Sequence, residues 1–357
     1  MTGPACLITG EVSPYRREPF RLLAAAEDVE VVTWRSRGEP VPGLTVRETN
    51  QVGAVRLAAS GRYRAVICGL GGRVALPGAY LGTRRAGVPF VLWASLWAHP
   101  RTPVHALSLL PLSRIYRGAD AVATYGPHVS RYVESRRGGR GGVVEAPQAV
   151  EAALARPVEA DERREWRERT GAGDDGFLVL FAGRLTREKG VHVLLDAWRE
   201  SELASGGGVL ALAGDGPLRA SGTGVTSLGQ VPRERLPGLY AAADVLVLPS
   251  IRTATFLEPW GLVVNEAMLQ GTPVVATDAV GAAAGGLVRD GRNGMVVPER
   301  DPEALAARLR VLATNPELRT ELGEAARADV AAYTPEAWAA GMRAALKAAG
   351  AARSEDP

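Results

Sequence analysis

The chain has 357 residues, which at roughly 150 residues per domain is enough for about two domains, each with its own core. Apolar residues make up 46% and charged residues 23%, ordinary values for a globular protein, so wholesale disorder and a fibrous chain are both excluded. Lys and Arg number 42 against 39 Asp and Glu, a net charge of +3 in which only Lys189 and Lys347 are lysines; so small a surplus argues against nucleic acid as the partner.

In the first half, short β-branched or apolar runs predict strands at Ala5–Thr9, Val29–Thr33, Ala65–Cys68, Phe90–Trp93, Ala121–Ala123 and Val143–Ala146. Helical segments lie between several of them, as at Pro19–Ala26, where Phe20, Leu22, Leu23 and Ala26 form a stripe behind a first-turn proline. This alternation predicts βαβ units and a parallel sheet covered on both faces. Cys6 and Cys68 sit in two of these strands without metal-ligand spacing, which reads as buried thiols in a reducing compartment. The longest uncharged stretch, 86–100, falls short of the roughly 20 residues a membrane span needs, and the N-terminal segment lacks the basic start and apolar core of a signal peptide. A cytoplasmic protein not integral to the membrane is expected.

From Ala146 to about Ala172 the pattern breaks into a Pro-containing, densely charged run, read as a linker and a solvated helix. Strand signals resume at Phe177–Ala182, Val209–Ala213, Val225–Leu228, Val245–Leu248, Val274–Ala276 and Met295–Val297, predicting a second α/β domain. Beyond Val297 three helices are expected, Pro302–Ala313, Pro316–Ala332 and Pro335–Ala349, each opened by a proline. The expected domains are 1–155, 156–334, and a terminal helical segment, 335–357, crossing back to the first.

The polar chemistry concentrates in the second half. The run 183–190, Gly-Arg-Leu-Thr-Arg-Glu-Lys-Gly, follows a strand and opens a helix, where free backbone N–H groups favour an anion; Arg184 and Lys189 add two cations that match a phosphate group. A second turn, Ala213-Gly-Asp-Gly-Pro217, also follows a strand. Next, Glu258 lies in a loop before a helix starting near Gly261, and Glu266 lies about one and a half turns inside it. The helix start offers N–H groups to an anion while the carboxylate accepts from hydroxyls, a combination suited to a ligand with phosphates and sugar hydroxyls.

Taken in order, 183–190, 213–218, Glu258 and Glu266 with seven residues between them, 266–277 and 290–298 resemble glycosyltransferase family 4 across nearly all of the second domain. The resemblance implies an α/β GT-B fold, two facing Rossmann-like domains with parallel sheets and an interdomain cleft, and a retaining transferase that moves a hexosyl-type sugar from a UDP- or GDP-sugar. It implies that Arg184 and Lys189 hold the donor diphosphate and stabilise charge on the leaving group. Glu266 would hold the ribose, Glu258 would lie near the donor sugar, Gly261 and Leu262 would offer backbone N–H groups, and the loop at Val231 would meet the base. No Asp-x-Asp occurs, so neither metal nor cofactor is expected, the nucleotide-sugar being substrate.

The first domain departs from the family pattern. Its first loop keeps one glycine, Gly10, followed by Glu11 and Arg16 as acceptor-side candidates against the reading of solvent-facing charges. His99 is the candidate histidine for donor sugar or acceptor, the competing reading being a packing role in a loop. The acceptor expected from the resemblance is a glycan, a lipid-linked molecule or a small molecule. The leucines of 105–116 with Arg131, Arg136, Arg137 and Arg140 raise peripheral association with the inner face of a membrane, against a buried helix and a solvated loop. Two other functions fit the fold: a sugar-nucleotide epimerase and a nonenzymatic nucleotide-sugar binder. A P-loop nucleotidase does not fit, as no G-x-x-x-x-G-K-[ST] occurs, and no G-x-G-x-x-G follows a predicted strand and opens a helix as a dinucleotide site requires.

Overall fold

The computed structural model describes residues 3–35 and 40–351. The chain divides into two compact units, Met1–Glu151 with Tyr333–Pro357, and Ala152–Ala332. The first carries a sheet of seven strands: β1 (Ala5–Thr9), β2 (Val29–Thr33), β3 (Thr45–Glu48), β4 (Ala65–Gly69), β5 (Phe90–Ala94), β6 (Ala121–Thr124) and β7 (Val143–Glu145), in the order β3-β2-β1-β4-β5-β6-β7. All pairings are parallel, with Leu7 set between Val31 and Ile67. Alternate residues serve opposite faces: Ala5 and Leu7 join one core with Phe20 and Trp338, while Cys6 and Ile8 join another with Phe90 and Tyr116. The two thiols are free and buried, and burial pushes that of Cys68 up to about 12.

Strand β3 was not expected. It forms the sheet edge, and of Thr45-Val-Arg-Glu48 only Val46 packs against a core, so the run is largely polar and carries no apolar alternation. Pairing with β2 supplies its order, helped by an ion pair from Arg47 Nε to Glu30 at 2.5 Å.

The helix Pro335–Ala348 belongs to the first unit. Thr334 caps it by accepting from Ala337 N at 3.1 Å, and Pro335 occupies its first turn. Trp338, fully buried, packs on Phe20 and Trp93 with ring centroids 5.4 and 5.6 Å apart. Arg343 reaches Glu27 at 3.1 Å, and Arg64 Nε donates to the Ala351 carbonyl at 3.1 Å. Residues 152–155 instead lie in the second unit, where Gln270 Nε2 donates to the Leu154 carbonyl at 2.6 Å.

The second unit has six parallel strands: β8 (Leu178–Ala182), β9 (Val209–Ala213), β10 (Val225–Gly229), β11 (Val245–Leu248), β12 (Val274–Thr277) and β13 (Gly294–Val297), ordered β10-β9-β8-β11-β12-β13. The charged run folds as the helix Ala160–Thr170, mostly exposed but anchored by the buried Trp166. The turn after it, Gly171-Ala-Gly-Asp-Asp-Gly176, has G-x-G-x-x-G spacing but leads into β8 instead of leaving a strand for a helix, so it forms no dinucleotide fingerprint. In each sheet the chain order reverses direction beside the first strand of the unit, between β1 and β4 and between β8 and β11. Such reversals open crevices at the carboxyl ends of the strands, where open α/β sheets bind ligands.

Candidate functional site

In the second unit the expected residues gather at the carboxyl ends of β8 to β12. The loops are stitched by backbone bonds: Gly183 N to Ala213 O (2.9 Å), Leu185 N to Asp215 O (2.8 Å), Gly214 N to Gly229 O (2.7 Å) and Ile251 N to Glu188 O (3.0 Å). Gly190, at φ +70°, is required by close approach, since a Cβ there would lie 1.8 Å from the Pro249 carbonyl oxygen. That contact brings the loop after β8 against the loop after β11. Lys189 and Glu258, 69 positions apart, consequently form an ion pair between Nζ and Oε2. Their side chains are 16% and 8% exposed, Ser250 Oγ donates to the same carboxylate oxygen at 3.0 Å, and Nζ lies 5.5 Å from the Phe256 ring centroid.

Arg184 projects from the same loop. Its side chain is 66% exposed and its Nη2 approaches Glu188 at 3.5 Å, which leaves it open to an anion. The helix Leu262–Leu269 starts behind Gly261, whose φ of +95° suits glycine. The loop before it is held in place by Gly281 N donating to the Glu258 carbonyl at 3.1 Å, Ala282 N to the Trp260 carbonyl at 2.8 Å, and Trp260 Nε1 to the buried Asn265 at 2.7 Å.

Glu266 is buried in that helix. It accepts from the Tyr240 hydroxyl at 2.6 Å, and Arg233 lies 3.9 Å from its other oxygen. Burial first, and then the neighbouring carboxylate, push the Tyr240 hydroxyl well above the usual tyrosine range, so it stays a donor to Glu266. Val231, half-buried, follows β10 two residues before Arg233. Sequence reasoning missed Arg233, Tyr240 and Ser250. Arg233 could have been found by its closeness to Val231; Tyr240 reads as an apolar helix residue and Ser250 as part of a turn. Among the described residues no group of three His, Cys, Asp or Glu side chains is placed to hold a metal ion.

In the first unit, Gly10, Glu11 and Arg16 line one cavity of about 460 Å³ at the carboxyl ends of β1, β4 and β5, together with Trp34, Trp93 and Tyr125. His99 is not among its lining residues. Its Nε2 instead donates to the His105 carbonyl at 2.7 Å, at the first turn of the helix Pro103–Gly118, where the Thr102 side chain caps His105 N at 3.3 Å. Arg137, grouped by sequence with the exposed arginines, is buried and donates to the carbonyls of Tyr116, Ala119, Arg140 and Gly141, so it is structural. No helix among the described residues is long and apolar enough to cross a membrane.

Comparison with known proteins gives the family. The model for glycosyl transferases group 1 matches residues 162–329. A GDP-mannose-dependent alpha-(1-6)-phosphatidylinositol monomannoside mannosyltransferase of Mycolicibacterium smegmatis is 33% identical over 276 residues, 71% of this chain and 69% of that one. An alpha-D-kanosaminyltransferase of Streptomyces kanamyceticus is 36% identical over 173 residues, 45% of this chain and 42% of that one. A D-inositol 3-phosphate glycosyltransferase of Streptomyces scabiei is 32% identical over 302 residues, 74% of this chain and 65% of its own length, so the matched segments span less than two thirds of these last two relatives. Among solved structures, Anabaena HepE in complex with UDP and glucose matches with a TM-score of 0.74 at 19% identity, covering 97% of this chain and 99% of that one. WaaG, a glycosyltransferase involved in lipopolysaccharide biosynthesis, matches with 0.67 at 18%, covering 97% and 100%. The structural likeness establishes the fold, two α/β units with all-parallel sheets as in these neighbours, and the sequence relatives establish the rest: the chain belongs to the group 1 glycosyltransferases.

Proposed function

We propose that the protein is a retaining, metal-independent glycosyltransferase that takes a hexosyl-type sugar from a UDP- or GDP-sugar. The observation that carries this reading is the convergence of Lys189, Glu258, the exposed Arg184 and the helix start at Gly261–Leu262 at the β8–β11 reversal, with the buried Glu266 one and a half turns further on. Arg184, Lys189 and the helix N–H groups hold the donor diphosphate, and Glu266 accepts from the ribose hydroxyls. The bond from the anomeric carbon to the diphosphate oxygen breaks as the acceptor oxygen bonds to that carbon, and the acceptor proton passes to the leaving diphosphate. The cations stabilise the charge on the leaving group, a contribution of about 3 kcal/mol per donor, or near 10²-fold in rate. Glu258, already engaged by Lys189 and Ser250, positions that cation and faces the donor sugar. A relative named for GDP-mannose and a neighbour bound to UDP support a nucleotide-sugar donor without choosing the base.

Thermal-shift titration with UDP-, GDP- and TDP-sugars tests the reading, since a ligand at 100 times its Kd adds about 2.7 kcal/mol. One of them should stabilise the wild type and not Lys189→Ala or Glu266→Ala, and both variants should lose transfer while staying folded; unchanged turnover in both refutes it. Mass-neutral conversion of the donor without an acceptor reveals an epimerase instead, and binding without turnover reveals a binder. A membrane-surface acceptor is favoured by one observation: Leu107 and Leu110, one helical turn apart, are 82% and 78% exposed.

A further inference from the structure

The first unit contains a buried cation without an anion. Arg16 is 4% exposed, yet no ion pair among the described residues includes it. Its Nη2 donates to two neutral acceptors, Gln148 Oε1 and the Tyr125 hydroxyl, the latter at 3.3 Å. Its Nη1 is buried and has no hydrogen-bond partner. The guanidinium carbon lies 4.6 Å from the Trp93 ring centroid, 5.0 Å from Tyr15, 5.6 Å from Tyr125 and 5.8 Å from Trp338. Aromatic faces attract a cation, but they do not replace a carboxylate, and a buried charge with an unused donor is costly to maintain.

This residue lines the cavity at the β1–β4 reversal. The helix Arg17–Glu27 begins beside it, adding the positive end of a helix dipole. Arg35 lines the same cavity, as does one carboxylate, Glu11, which accepts from Ser13 Oγ at 3.2 Å. The remaining wall is rich in aromatic surface, from Trp34, Trp93, Tyr125 and Phe20, suited to the apolar face of a hydroxylated ring.

We infer that this cavity receives an acceptor carrying an anionic group, a phosphate monoester or a carboxylate on a hydroxylated ring, with Arg16 as its anion ligand. The inference deepens the transferase reading and rests on it for the word acceptor; the anion site itself stands on Arg16 alone. It also explains why a charge is kept in an aromatic wall where a methionine would pack at lower cost.

Calorimetric titration of the full chain with glucose 6-phosphate, glucuronate and glucose tests it. At least one anionic sugar should bind at least tenfold more tightly than glucose, and whether it is the phosphate or the carboxylate identifies the group. Binding should persist in Lys189→Ala, which excludes the phosphate site of the second unit, and should weaken at least tenfold in Arg16→Met. Equal affinity for glucose and both anionic sugars, loss of binding in Lys189→Ala, or retention in Arg16→Met overturns the inference. If Arg16→Met does not fold, the comparison of charged with neutral sugars on the wild type and on Lys189→Ala decides alone. A parallel titration with UDP separates the two claims: anionic sugars binding through Arg16 without any UDP binding removes the donor reading and leaves the anion site, whereas UDP binding without anionic sugars removes this inference and leaves the donor reading.

Discussion

Removing Lys189 should act on stability and on chemistry in ways that a second substitution separates. Glu258 keeps only 8% of its side-chain surface in water, so without the Lys189 ammonium its charge remains in a poorly solvated site. Breaking a buried pair from one side costs about 3–5 kcal/mol, and the lower end applies here because Lys189 itself is 16% exposed. Lys189→Met should therefore destabilise the second unit by about 3 kcal/mol. Lys189→Met with Glu258→Gln removes both charges and should recover most of that loss. Turnover should not recover, because the cation that meets the diphosphate is still missing and its loss lowers the rate by about 10². Urea unfolding of the wild type, both single variants and the double gives the coupling energy, and transfer from the nucleotide-sugar found by thermal shift gives the rates. Additive effects on stability, or a double variant with wild-type turnover, would refute the reasoning.

Gly190→Ala should be worse than a surface glycine substitution, because its Cβ would meet the Pro249 carbonyl oxygen at 1.8 Å while φ is +70°; separating the two loops should weaken nucleotide-sugar binding in the same thermal-shift assay. Trp338→Ala removes a fully buried ring packed on Phe20 and Trp93 and should cost about 3–5 kcal/mol in chemical unfolding, with the first unit melting first. Hydrogen bonding from Arg292, with Asn293 and Arg289, holds the Asp329 carboxyl down to about 2 from an ordinary 3.8. Since its pKa is lowered in the folded state, its stabilisation is complete above the ordinary value and fades as the pH falls towards the folded one. Asp329→Asn should thus lower the melting temperature at neutral pH, and the gap to the wild type should close as the pH falls through that window. Co-sedimentation with anionic vesicles at low salt should be reduced by Leu107→Gln with Leu110→Gln, and no sedimentation of the wild type would end the membrane-surface reading.

The strand runs, the helix-opening prolines and the ordered motifs of the second half were legible because each depends on local pattern: buried parallel strands are continuous apolar runs, and a phosphate loop needs its glycines and cations within a few residues. Two α/β units and the polar residues of 183–190 and 258–266 therefore follow from the sequence alone. The edge strand Thr45–Glu48 does not, because its order comes from pairing with β2 and not from its own composition. Nor does the partner of any charge. Lys189 meets Glu258 through the contact of Gly190 with Pro249, Glu266 meets Tyr240 and Arg233 from other elements, and Arg137 is drawn inward by four carbonyls. For Arg16 the sequence left an acceptor-side role and a solvent-facing charge open; its burial among aromatic rings contributed by residues 15, 93, 125 and 338 removes the solvent-facing reading. Local pattern determines which elements form and which residue types they carry. Only the packing of distant segments sets the solvation and the neighbours of a charge, and those two quantities decide whether it is a surface residue, a structural tie or a binding group.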